Sequence, residues 1–141
     1  MEEDARQIRI AAALLTDARG RLLLVRKSGT AWFMQPGGKI ERDEEPFAAL
    51  ARELREELGL AVAPDAARHC GRFSAPAANE PGFTVEAELY ALPLDGEARP
   101  AAEIAEIAWL EPDATATLPL AALTRDHALP LWRSMLTETS R

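Results

Sequence analysis

The sequence predicts an α/β domain, a sheet with helices on both sides, and three observations carry that prediction. Two stretches, Ile8 to Thr16 and Leu22 to Lys27, are apolar on both faces, as central strands are when helices cover a sheet on either side. Residues 44–59 carry the start signal, apolar stripe and stop signal of an amphipathic helix. Near the other end Leu129, Trp132, Met135 and Leu136 recur at helical spacing, so a second amphipathic helix should pack on the sheet. With 141 residues, 48% hydrophobic and 28% charged, one domain with a sizeable core is expected.

The elements follow in order. Asp17-Ala18-Arg19-Gly20 reads as the turn between the first two strands. Trp32-Phe33-Met34-Gln35 adds a short extended piece that leads into the turn Pro36-Gly37-Gly38-Lys39, where two glycines permit positive φ and close backbone approach. Glu44-Glu45-Pro46 opens the helix, acids at the positive end of the dipole and proline in the first turn, and Gly59 closes it. Phe47, Leu50, Ala51, Leu54 and Leu58 form its apolar stripe, with Glu53, Glu56 and Glu57 on the neighbouring side. Cys70 to Ala75 and Phe83 to Leu92 read as strands around the turn-rich loop Pro76 to Gly82. On the second of these strands Glu86 and Glu88 share a face with Thr84 and Tyr90, which reads as a solvated face. Pro93 to Ala102 is a loop, and the segment from Glu103 to Leu110 is a late strand.

The most informative stretch runs from Gly38 through Glu44 to the block Arg52-Glu53-Leu54-Arg55-Glu56-Glu57-Leu58-Gly59-Leu60. With ordinary residue frequencies the chance of such a match is on the order of 10⁻⁷. Glu53, Glu56 and Glu57 stand at i, i+3 and i+4, where like charges repel by roughly 0.2–0.5 kcal/mol per pair on an exposed helix. Arg52 can pair with Glu56, yet residues 41–57 hold seven acids against three arginines. Such a helix is either a solvated face laced with weak ion pairs or a nest of hard oxygen ligands, which suits Mg²⁺ or Mn²⁺ bridging to phosphates. The preceding glycine turn favours the second reading, since a main-chain carbonyl there can reach a metal and Lys39 a phosphate oxygen. Arg26, at the end of the second strand, is a further candidate for a phosphate, or else a surface arginine.

These residues resemble the box of the Nudix (MutT-type) hydrolases, matched by Gly38, Glu44, Arg52, Glu53, Leu54, Glu56, Glu57, Gly59 and Leu60 without a departure. The resemblance implies a Nudix-type α/β/α sandwich, a mixed β-sheet flanked by the box helix and a C-terminal helix. It also implies hydrolysis of a nucleoside diphosphate linked to a moiety X, by water attack on phosphorus with Mg²⁺ or Mn²⁺. By position, Glu53, Glu56 and Glu57 would bind the metals and one of them, or another carboxylate, would deprotonate the water. Arg52 would orient a glutamate, Gly37 would offer its carbonyl, and Glu44 would hold the loop and helix together. A further metal ligand or base would come from Glu103 or Glu106, and the sequence does not choose between them. Asn79 and Glu80 are candidates for lining the pocket, and Asp126 and His127 for capping the last helix or reading a base edge. A homodimer is also implied as a family trait.

A net charge of −7 argues against a broad nucleic-acid surface, which needs clustered Lys and Arg, but accepts a small phosphorylated substrate through intervening cations. Met1-Glu2-Glu3-Asp4 is no secretory leader and no apolar run is long enough to span a bilayer, so a cytoplasmic location is expected, with no membrane partner. Cys70 is the only cysteine, which leaves no thiolate-rich zinc site. Two rivals stand beside the hydrolase. One is a catalytically silent Nudix-fold module that senses a nucleotide, and the other is the isoprenoid diphosphate isomerase branch of the fold. The three intact glutamates argue against the first; the short chain and the position of its lone cysteine argue against the second.

Overall fold

A computed structural model describes residues 6–114 and 117–139, and the opening residues Met1 to Asp4 lie outside that range. Seven strands form one mixed sheet: β1 (Gln7–Thr16), β2 (Leu22–Lys27), β3 (Phe33–Met34), β4 (Gly37–Lys39), β5 (Arg68–Pro76), β6 (Thr84–Pro93) and β7 (Ile104–Leu110). The order is β3-β2-β1-β6-β5, with β4 paired to β1 and β7 paired to β2. β1 and β6 run parallel over ten residues, from Gln7 opposite Thr84 to Thr16 opposite Pro93; the remaining pairings are antiparallel.

Alternation along the strands builds two cores. Ala11, Ala13, Leu15, Leu23 and Val25 face helix α1 (Pro46–Leu58) and meet Ala49, Leu50, Leu54 and Leu58. Ala12, Leu14, Leu22, Leu24, Ala87 and Leu89 face the other way, toward Leu129 and Trp132 of helix α2 (Leu129–Thr139). The helices therefore cover opposite faces, and the expected sandwich with a mixed sheet is what the chain forms. Among the described residues no helix is long and apolar enough to cross a membrane.

The box helix starts with Pro46 in its first turn and ends on Gly59 in the left-handed region, φ 70°; the Gly59 N–H donates to the Arg55 carbonyl and the Leu60 N–H to the Leu54 carbonyl. Two details differ from the sequence expectation. Ala49 is fully buried while Ala51 is half-buried, a small rotation of the stripe. Glu45 stands at the N-cap as the acidic start leads one to expect, but its side chain makes no cap bond, and the Glu44 carboxylate is bonded to Arg52 and the Glu41 N–H.

The face of β6 assigned to solvent is also more closed than alternation suggests. Glu88 is buried, held by His69 Nε2 at 2.7 Å and Arg72 Nε at 2.8 Å from the neighbouring β5. A carboxylate taken out of water needs such partners. Finally, α2 is preceded by a π-helical turn, Thr124–Ala128, closed by the Leu129 N–H on the Thr124 carbonyl. Pro130 explains it: proline has no N–H for the fourth carbonyl back, and its ring crowds that carbonyl. A widened turn just before the proline relieves both problems.

Candidate active site

The glycine turn is placed by its strand register. Ala13 N–H bonds to the Pro36 carbonyl and Ile40 N–H to the Arg9 carbonyl, so along β4 it is Gly38 that faces β1, opposite Ala11. By alternation Gly37 turns its N–H and carbonyl off the other edge. Its N–H donates to Glu57 Oε1 at 3.2 Å. A side chain at Gly37 would meet the Ala11 carbonyl oxygen at 2.2 Å, and one at Gly38 would meet the Glu53 carboxyl carbon at 2.4 Å. Glycine at these two positions is therefore what lets the box helix and β1 close on the turn.

Glu57 is 1% exposed, and its Oε2 is buried with no hydrogen-bond partner. Burial pushes its carboxyl up to about 8, against the pull of the Gly37 N–H and the Lys27 charge, while Glu53 and Glu103 add to the rise. Glu53 lies against Gly38 and is bonded by Arg52 Nη1 at 2.9 Å. Arg52 is the hub of the loop and helix. Its Nε and Nη2 both bind Glu44 at 2.9 Å, and Nη2 also reaches the Lys39 carbonyl at 3.1 Å. That guanidinium, with the Glu41 N–H, holds the Glu44 carboxyl down at about 2. Glu56 points outward, its side chain 55% exposed and 3.9 Å from Arg52.

The two late acids, Glu103 and Glu106, have different surroundings. Ala101 N–H bonds to the Glu57 carbonyl, Arg99 N–H to the Leu58 carbonyl and Ser28 N–H to the Glu103 carbonyl, which fastens the segment before β7 across the end of α1. Glu103 thus stands 3.6 Å from Lys27 and raises Glu57. Glu106 is paired to Arg26 at 3.0 Å. Arg26 is further held by the Thr30 carbonyl and is not among the residues lining the adjoining cleft, whereas its neighbour Lys27 is. Lys27, rather than Arg26, is the strand-end cation on the carboxylate side; a bulge at Arg26/Lys27 makes that alternation unreadable from sequence.

The cleft next to the glycine turn is bordered by Gly37, Gly38 and Lys39 on one side and by Asn79 and Glu80 on the other. Its apolar wall includes Ile8, Ile10, Met34, Val85 and Leu123. Two polar residues stand among them. Gln35 and Thr124, 5% and 0% exposed, are bonded Thr124 Oγ to Gln35 Oε1 at 2.8 Å, and neither is marked by any sequence signal beyond its own polarity. His127 lies elsewhere: its Nε2 is 3.1 Å from the Ser74 carbonyl, its ring packs on Phe73 and it does not line the cleft. Asp126 is paired with Arg125.

The donor set fits a hard divalent cation in one clear respect: an acid buried at Glu57 with an unpartnered oxygen, beside Glu53 and the Gly37 carbonyl turned away from β1, is what such a cation would satisfy. As the side chains stand, no three acid, histidine or cysteine groups among the described residues converge closely enough to hold one, because Arg52 draws Glu53 aside and Glu56 faces outward.

Residues 6–131 match the model of the NUDIX domain family. The chain is 30% identical over 102 residues to a MutT-like protein of Streptomyces ambofaciens, covering 72% of this chain and 62% of that one. It is 38% identical over 63 residues to the 8-oxo-dGTP diphosphatase of Proteus vulgaris, covering 42% and 56%. A shorter match, 50% over 52 residues, reaches an RNA pyrophosphohydrolase of Saccharophagus degradans, covering 36% and 30%. The chain thus spans less than two thirds of the length of these relatives. Among solved structures, a MutT protein from Methanosarcina mazei superposes with a TM-score of 0.75 over 99% of this chain and 100% of that one, at 21% identity. The glycine turn packed on a glutamate-bearing helix and the match along most of the sequence agree: this chain belongs to the NUDIX domain family.

Proposed function

We propose that this chain hydrolyses a diphosphate bond in a nucleoside diphosphate linked to a further group, such as a nucleoside triphosphate, an oxidised nucleotide or a nucleotide sugar. The observation that carries the reading is the buried Glu57, one oxygen on the N–H of Gly37 and the other without a partner, with Gly37 itself lining a cleft that Lys27 and Lys39 also line. Glu53, Glu56 and Glu57, with the Gly37 carbonyl and Glu103, are the groups that would hold Mg²⁺ or Mn²⁺; Glu106, engaged by Arg26, is left out. Bound there, such an ion would neutralise phosphate charge and acidify a water.

The chain's own residues supply the rest. Lys27 and Lys39 offer cations to the phosphates, a point-charge contact that lysine makes well. Arg52 acts through Glu44 and Glu53 as a positioning residue and does not touch the substrate. A carboxylate from this group takes the proton of the attacking water, and the leaving phosphate departs in line. Asn79 and Glu80 face the bound nucleoside from the loop side. The Proteus relative is named for an oxidised nucleotide and the Saccharophagus relative for RNA, and the acidic charge of this chain favours the small nucleotides.

The test is release of phosphate or pyrophosphate from a panel of ordinary and oxidised triphosphates, dinucleotides, nucleotide sugars and 5′-triphosphorylated RNA, with Mg²⁺, with Mn²⁺ and with chelator. Chelator-sensitive turnover of one class is expected. Silence across the panel, with thermal stabilisation by a nucleotide, would replace the enzyme with a nucleotide-sensing module.

A further inference from the structure

Inside the apolar part of the cleft one polar side chain is left half-used. Gln35 Oε1 accepts the Thr124 hydroxyl, while Gln35 Nε2 is buried and donates to nothing. A buried donor without an acceptor is costly and uncommon, and nothing in the fold requires an amide here. An aliphatic residue would fill the same space between β3 and the helix without that cost. Both partners border the cleft, and the terminal torsion of glutamine is soft enough to bring Nε2 onto a group seated there. Thr124 matters because it claims the oxygen, which leaves the amide its N–H groups alone to offer.

The same cleft is lined by Lys39 and the glycine turn, where the phosphates would lie, and by Gln35, Thr124 and their apolar neighbours. A nucleoside lying along it would set its base beside Gln35. We infer that Gln35, held by Thr124, reads a carbonyl oxygen on the base, so that a base with a keto edge is preferred over adenine. The inference rests on the hydrolase reading of the same site for its substrate but not for its test. A site built to donate to one oxygen discriminates strongly against an analogue that lacks it, since the donor is then left buried and unpaired.

The test uses inosine triphosphate and purine riboside triphosphate, which differ only in the 6-oxo group and the proton at N1 that accompanies it. The expected result is a preference of at least about tenfold for the inosine compound in kcat/KM, expressed mainly in KM. Gln35→Leu brings the two within about twofold, on the same reasoning that the hydrogen bond is the source of the difference. Gln35→Glu, which offers an acceptor in place of a donor, shifts preference toward adenosine triphosphate. Thr124→Val weakens the discrimination and Thr124→Ser keeps it, which a role limited to packing does not produce. If Gln35→Leu fails to fold, the Thr124 pair decides.

Equal handling of the two nucleotides by the unaltered protein would overturn the inference, as would a preference that Gln35→Leu leaves in place. Equilibrium binding of non-hydrolysable methylene-bridged analogues of the same two nucleotides separates this from catalysis. A retained keto preference in binding with no turnover would sink the hydrolase reading and leave the base recognition standing.

Discussion

Adjacent glycines in the box turn have different jobs, and the difference is testable. At Gly37 an added methyl meets backbone, the Ala11 carbonyl oxygen at 2.2 Å and the Ala12 Cα at 2.7 Å, and φ is 148°. Gly37→Ala should therefore cost stability, several kcal/mol in the manner of overpacking against atoms that cannot move, visible as a lower melting temperature. At Gly38 the atoms nearest the methyl belong to the Glu53 side chain, which can swing away. Gly38→Ala should melt close to the parent and lose turnover, and a large loss of stability there would refute this assignment. Glu57→Gln removes the charge at constant size; we expect turnover to fall on the order of 10²-fold or more with the fold intact, the scale seen when metal-site groups are disabled. Near-parental rates with Mg²⁺ would take Glu57 out of the mechanism. Residues of the box were legible because their spacing on one helix fixes their relative positions. Gln35 and Thr124 were not, since 89 positions separate them and no local pattern links a strand-end amide to a hydroxyl in a helix.

At the scale of elements, Arg52 ties the loop to the helix through both oxygens of Glu44, through Glu53 and through the Lys39 carbonyl. Lysine keeps the charge and loses the fork. Arg52→Lys should lower kcat at least about tenfold while stability changes by roughly 1 kcal/mol, because the ion pairs are half-exposed and individually weak; turnover and melting on the same preparation check both. Helix limits, the first two strands and the apolar faces were readable from period and punctuation. The Glu88 cluster was not: only the cross-strand register of β5 and β6, shifted at His69/Gly71, brings His69 and Arg72 onto that acid. Nor was the π-helical turn, which depends on how a helix already committed to the sheet absorbs Pro130.

Over the whole molecule the shifted acids set a pH profile. Glu44 is held low by Arg52 and the Glu41 N–H, so its contribution is present above the ordinary value of 4.5 and is lost as pH falls toward about 2. Glu57 works in the opposite sense. Folded, it keeps its proton up to about 8, while the unfolded chain releases it near 4.5, so stability falls as pH rises through that interval and then levels. Without divalent ions the protein should melt highest near the lower end of that window, and Glu57→Gln should flatten the alkaline side. Added Mg²⁺ or Mn²⁺ favours the ionised acid, so its stabilisation should grow with pH, reaching about 2.7 kcal/mol at a hundredfold excess over Kd. A melting temperature indifferent to these ions at pH 8 would contradict the assigned ligands. The sheet carries one more consequence. Its longest pairing sets Gln7 beside Thr84 and runs in parallel for ten residues, so the central ladder cannot nucleate as a hairpin. Loop closure must come before that contact is rewarded, which places folding in the slower range for its size. During synthesis, β1 waits for β6 to emerge, with an unpaired edge open to other chains.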